Sequence, residues 1–161
     1  MNQNAQRYRT SSWERARTAH RRCKADFAAH LRRIAAPMQI AYQRLMSAHN
    51  GLPVGIECRM GSRASWAFVV SEMSSAEKWR VQYFDEGGFV GHGCYASIKE
   101  AVESMMRDGY RTPDPGALDR TASTPRWAVG MKRSAIRQRC QEGLITFPQM
   151  IEEMEAIPEA A

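Results

Sequence analysis

The residues whose type and spacing best suit chemistry are the arginines at the start of the chain. Residues 1–46 hold ten Arg or Lys, and only Glu14 and Asp26 oppose them. Ten against two leaves +8 there, while thirteen against fifteen leaves −2 in the remainder of a chain whose formal net charge is +6. Nine of the ten are arginine, whose planar fork of donors suits bidentate contact with phosphate or carboxylate. Arg15, Arg17, Arg21, Arg22, Arg32 and Arg33 fall on the polar side of a helical pattern and are the candidate phosphate contacts, with Tyr8 and Trp13 placed for stacking. The structural alternative is a solvated face whose arginines pair with acids in the remainder, an arrangement that contributes little to stability.

Other constellations are weaker. His92 and Cys94 in GHGCY are two apart on a strand and share a face, but a nucleophile pair needs contact and a third orienting group. A packed histidine beside an inert thiol is the simpler reading. His92, Cys94 and Cys58 lack the paired spacing of a zinc site. His20, Cys23 and His30 fall on an apolar helical stripe, where packing is the default. Gly87-Gly88 opens no phosphate-loop pattern. No catalytic residue, metal ligand or cofactor is therefore assigned, and a non-enzymatic protein is expected.

These groups must be held by a fold, and residues 78–110 organise it. Trp79, Val81 and Tyr83 alternate with Arg80 and Gln82, the period of a half-buried strand. Asp85-Glu86-Gly87-Gly88 supplies a hairpin turn. Phe89 to Tyr95 gives a second strand, in which Gly91 and Gly93 suggest a bulge. Ser97 and Glu100 form an S-x-x-E start for a helix burying Ile98, Ala101, Val102, Met105 and Met106, and Gly109 ends it. Upstream, residues 54–60 and 65–73 read as a hairpin, with the doubly apolar run 66–70 as an inner strand.

Before the sheet, Ser11-Ser12-Trp13-Glu14 starts one helical stripe through Ala16, His20, Cys23, Phe27, Leu31, Ile34, Met38, Tyr42 and Leu45. Pro37 predicts a kink or short break near Ala35. After the sheet, residues 111–125 hold three prolines and read as a linker. A helix follows over Lys132 to Gln141, or from a Thr124-Pro125 cap. A second, opened by Thr146-Phe147-Pro148-Gln149, completes a helical hairpin. That hairpin is no DNA-reading motif, because its last helix carries Glu152, Glu153 and Glu155 and no cation.

The expected fold is α+β: a four-stranded antiparallel sheet with a packed helix, a long basic N-terminal helix and a C-terminal helical hairpin. The expected divisions are a basic arm over 1–50, the sheet-and-helix core over 51–110, the linker over 111–125 and the hairpin over 126–161. One sheet face is expected under the helix from Ser97, the other under the N-terminal helix. Four scattered cysteines without a C-x-x-C read as reduced thiols of a cytoplasmic protein. The N-terminus shows no apolar secretory core, and no apolar run is long enough to span a bilayer.

With its basic helical arm, compact sheet unit and short helical hairpin, the chain resembles small accessory proteins carried by plasmids and phages of Gram-negative bacteria. The resemblance implies a cytoplasmic binding protein that regulates or antagonises a nucleic-acid machine, and it carries over no functional residues. The expected partner is nucleic acid or a ribonucleoprotein. The alternative is a protein-interaction or inhibitor module, for example against a defence system, that docks through the sheet edge or the C-terminal hairpin, and an acidic protein is the other partner that the basic arm would suit. A homodimer through the near-heptad stripe is a further option, limited in length by Pro37.

Overall fold

The computed structural model describes residues 8–19, 25–74 and 78–158. Its centre is one antiparallel sheet of five strands: β1 (Cys58–Met60), β2 (Ser65–Ser71), β3 (Trp79–Asp85), β4 (Gly88–Tyr95) and β5 (Tyr110–Pro113), in the order β4-β3-β2-β1-β5. The α+β class holds, but the sheet has five strands where the sequence predicts four. All of the fifth but Tyr110 falls in the stretch read as linker, where Arg111 and Thr112 are polar and Pro113 ends the run. It pairs with β1 at Cys58↔Pro113 and Arg59↔Thr112, and a sheet edge is where a strand proline is tolerated. β1 is also shorter than expected, since Gly55 takes φ +75 and breaks the extended run.

Alternation along the strands sends two different sets of side chains to the two faces. Cys58, Ala67, Val69 and Val81 face one way and pack with Tyr42, Leu45 and Met46 of α2 (Ala25–Ala48) and with Val102, Met105 and Met106 of α3 (Ile98–Arg107). Trp66, Phe68 and Phe84 face the other way. They pack with Ala117 of α4 (Ala117–Ala122) and Trp127 of α5 (Pro125–Gln141). The expected division of labour is therefore corrected. The N-terminal helix shares its face with α3, and the opposite face belongs to helices from the C-terminal third. That second face is aromatic: Trp66 stacks on Phe84 at 5.5 Å, and its indole N–H donates to Asp114 at 2.8 Å.

The N-terminal arm is two helices, α1 (Ser11–Ala19) and α2. α2 runs through Pro37 without a break. Its buried face is Ala28, Ala35, Gln39, Tyr42, Leu45 and Met46, while Phe27 and Ile34 of the expected stripe are 53% and 63% exposed. α1 folds back on α2. The Gln39 side chain accepts from the Thr10 N–H at 2.8 Å and donates to the Tyr8 carbonyl at 2.8 Å. The cap of α1 is Thr10, whose hydroxyl accepts from the Trp13 N–H. Ser11 is taken up elsewhere, since its N–H and hydroxyl both donate to the buried Glu103 of α3.

The last helix, α6 (Phe147–Glu155), follows the expected capping box of Thr146 and Gln149, and packs on α5 through a two-pronged Arg139–Glu153 pair. α6 has no buried residue.

Candidate functional site

α5 begins at Thr124, whose hydroxyl accepts from the Trp127 N–H at 3.2 Å, with Pro125 in the first turn. Trp127 is its anchor. The indole meets Phe84 edge-to-face at 6.1 Å and Phe89 at 5.2 Å, contacts that add to simple area burial. One turn on, Gly130 lies against the hairpin turn so closely that a Cβ there would be 1.7 Å from the Gly87 carbonyl oxygen. The helix is thus pinned across the β3–β4 hairpin, beside β4, which is one of the two edge strands.

Beyond the pinned point, helix and strand diverge into a trough. One part, of about 670 Å³, is lined by Phe89 and Val90 on the strand side and by Arg126, Arg133, Ser134 and Arg137 on the helix side. A second part, of about 700 Å³, shares Phe89, Val90, Ser134 and Arg137 and continues to Gln82, His92 and Gln141. The shared residues join the two parts into one channel along α5. Positions 126, 130, 133, 134 and 137 line it because three- and four-residue steps keep one helix face together.

The charge of the trough comes from α5. Its seventeen residues hold Arg126, Lys132, Arg133, Arg137 and Arg139, and no acid. Arg126 donates to Glu86 at 2.6 Å. Arg133 and Arg137, neighbours one turn apart, make no ion pair among the described residues. Asp85 and Glu142 also line the trough and keep their charge, since each accepts from a neutral donor, the Gly87 N–H at 2.6 Å and the Gln138 amide at 2.7 Å. The lining charges are thus three arginines against two carboxylates, a positive excess in a concavity whose low-dielectric walls strengthen attraction for an anion.

The sequence reading predicts this helix but passes over its charge, because it sums charge over 47–161, where acids elsewhere cancel the cations of α5. A count over the helix alone gives five cations and no acid. A second signal was Gly130 in the middle of a helical pattern, which is costly unless close packing requires it.

Of the arginines expected to contact phosphate, Arg21 and Arg22 lie outside the described residues. Arg15 and Arg17 are on α1 and exposed, with Arg17 3.5 Å from Glu14. Arg32 and Arg33 are on α2. Arg32 donates to the Ala28 carbonyl, and Arg33 lies 3.3 Å from Nδ1 of His30. Glu72 and Glu153 are held by Arg80 and Arg139. Of the described arm arginines, Arg15 and Arg17 therefore belong to one helix and Arg32 and Arg33 to another packed against it.

Cys94 does not meet His92 in a catalytic arrangement. Its thiol donates to Glu72 at 3.3 Å, and that bond raises its pKa, which opposes thiolate formation. Glu72 also takes two bonds from Arg80, at 2.9 and 2.8 Å. The Arg80 guanidinium first, then Cys94 and the Ser74 N–H, lower its pKa to about 2. Cys58 is three strands away from β4 in the sheet order, roughly 14 Å at ordinary strand spacing. It is fully buried, and burial pushes its thiol up to about 12. Among the described residues no group of three His, Cys, Asp or Glu could hold a metal ion, and no helix is long and apolar enough to cross a membrane.

Comparison with protein-family models, curated proteins and solved structures finds no match to this chain.

Proposed function

We propose that this protein is a non-enzymatic, cytoplasmic nucleic-acid- or ribonucleoprotein-binding accessory protein of a plasmid or phage, and that it holds phosphates in the α5–β4 trough. One observation carries the reading: Arg133 and Arg137 sit side by side in a concavity with no acidic partner among the described residues. Phosphate oxygens are the ligand that a guanidinium fork matches best. The exposed arginines of the N-terminal helices, Arg15, Arg17 and Arg33 among them, extend the contact surface. Lys132 of α5, outside the trough lining, adds to the attraction at longer range. The tethered Cys94 thiol supports a binding role over a catalytic one.

The test is fluorescence anisotropy with labelled DNA and RNA at ~50 and ~200 mM salt, since released counterions make phosphate contact steeply salt-dependent. Binding at the lower salt that collapses at the higher is the expected result. No binding at ~50 mM removes the proposal.

A second reading is favoured by α6. Leu144, Phe147 and Ile151 are 68%, 65% and 39% exposed around a helix with no buried residue. An apolar surface of this kind suits a protein partner, with the C-terminal hairpin as the dock of an inhibitor module. Capture of one dominant protein that survives nuclease treatment, together with no nucleic-acid binding, selects this reading.

A further inference from the structure

We infer that the trough takes a single strand, with a base stacked on Phe89 and the flanking phosphates on Arg133 and Arg137. This rests on the nucleic-acid reading above and goes beyond it by naming the form of the ligand. A surface built only for phosphates needs cations and nothing else. This trough has an apolar ring as well as its cations. Phe89 stays 42% exposed although its ring edge or face is already fixed against Trp127 at 5.2 Å. The contact holds the ring in place at no further cost in rotamer freedom when a base arrives. Val90 beside it is 60% exposed.

The strand side of the trough continues from Phe89 and Val90 to Gly91. Next come His92, and Gln82 on the neighbouring strand, whose amide N–H donates to the Gly91 carbonyl and whose oxygen is left for other donors. Gln141 lines the same end from the helix. A ring for stacking, two forks for phosphate and amides at the rim are the parts of a sequence-tolerant single-strand site.

Size points the same way. Each part of the trough, about 670 and 700 Å³, lies within the range that encloses a small-molecule-sized group. That suits an unstacked base with its phosphates. A duplex keeps its bases inside the stack and offers Phe89 nothing to stack on.

The experiment compares four probes with the full chain at one salt concentration: a single-stranded oligonucleotide, an abasic oligonucleotide of equal length, the matching duplex, and a mononucleotide. The expected result is that the single strand binds at least about 10-fold tighter than the abasic strand, the scale of one stacked base, and tighter than the duplex and the mononucleotide. F89A and F89L bring the single strand down to the abasic level, while F89Y keeps the difference. Because Phe89 touches Trp127, each variant is checked by thermal melting. F89L keeps bulk without a flat face, and separates stacking from packing. Equal affinity for abasic and normal strands overturns the inference and leaves phosphate binding standing. Equal or tighter binding of duplex also overturns it, as does a mononucleotide that binds as tightly as the strand. Failure of all four probes at ~50 mM salt defeats the underlying function instead.

Discussion

Gly130 and Gly87 are in backbone contact: a Cβ on Gly130 would stand 1.7 Å from the Gly87 carbonyl oxygen and 2.6 Å from its carbonyl carbon. Two glycines far apart in sequence thus set how closely α5 approaches the β3–β4 hairpin, and so the shape of the trough beside it. G130A should destabilise the protein by about 1–3 kcal/mol, the usual cost of overpacking, although alanine is the better helix former by about 1 kcal/mol. Urea unfolding measures this. A neutral or stabilising G130A contradicts the close approach.

R133Q/R137Q should weaken single-strand binding and reduce the slope of log K against log salt by about 1.4, at roughly 0.7 per phosphate contact. R15Q/R17Q should change affinity less, because those residues are outside the trough. A larger loss from the α1 pair than from the α5 pair moves the principal contact surface to the N-terminal helices.

Glu103 ties the start of α1 to α3. Its buried carboxylate accepts from the Ser11 N–H, the Ser11 hydroxyl and the Lys99 ammonium. E103A should cost about 2–3 kcal/mol, since hydrogen bonds to a charged group are lost. E103Q, which keeps the shape and one acceptor oxygen, should cost less. Hydrogen exchange should show α1 opening first in E103A, and unchanged protection of α1 counts against this anchor.

Glu72 makes stability fall in acid. Its folded pKa, about 2, lies below its ordinary value of 4.5, so its contribution is complete above pH 4.5 and lost as pH falls towards 2. E72Q should therefore melt below the wild type at neutral pH, and the gap should close between pH 4.5 and 2. A gap that stays constant through that window excludes the Arg80–Glu72 ion pair as its source.

Thiol labelling separates the cysteines. Cys58, buried and pushed up to about 12, should stay unlabelled until the chain unfolds. Cys94 is exposed, yet its bond to Glu72 should make it slower than a free surface thiol at neutral pH, and E72Q should speed it. Fast labelling of wild-type Cys94, read by mass spectrometry, revives a nucleophilic role.

Much of the fold was legible because the signals are short in range. The strands around Asp85 and Gly88, the Ser97 cap that accepts from the Glu100 N–H, the buried face of α3 and the Thr146–Gln149 box all depend on residues within a few positions of each other. The misses are those where a distant partner decides. β5 carries no strand pattern of its own, and becomes a strand because β1 offers an open edge 55 positions back at the Cys58↔Pro113 pair. Ser11 read as a cap residue, but Glu103 takes it and Thr10 caps in its place. The trough was half legible: the cations of α5 can be counted, but their concentration at the β4 edge cannot.

By itself the sequence determined the local elements, the α+β class and the excess of arginine, since propensity, capping and periodicity act within one or two turns of the chain. Tertiary structure decided which helix covers which face of the sheet. The aliphatic face took α2 and α3, and the aromatic face of Trp66 and Phe84 took α4 and α5 through Trp127. That choice turned an unremarked helix into the wall of a groove. Its reason is packing: shape and chemistry across the sheet are matched in space, and no count along the chain registers them.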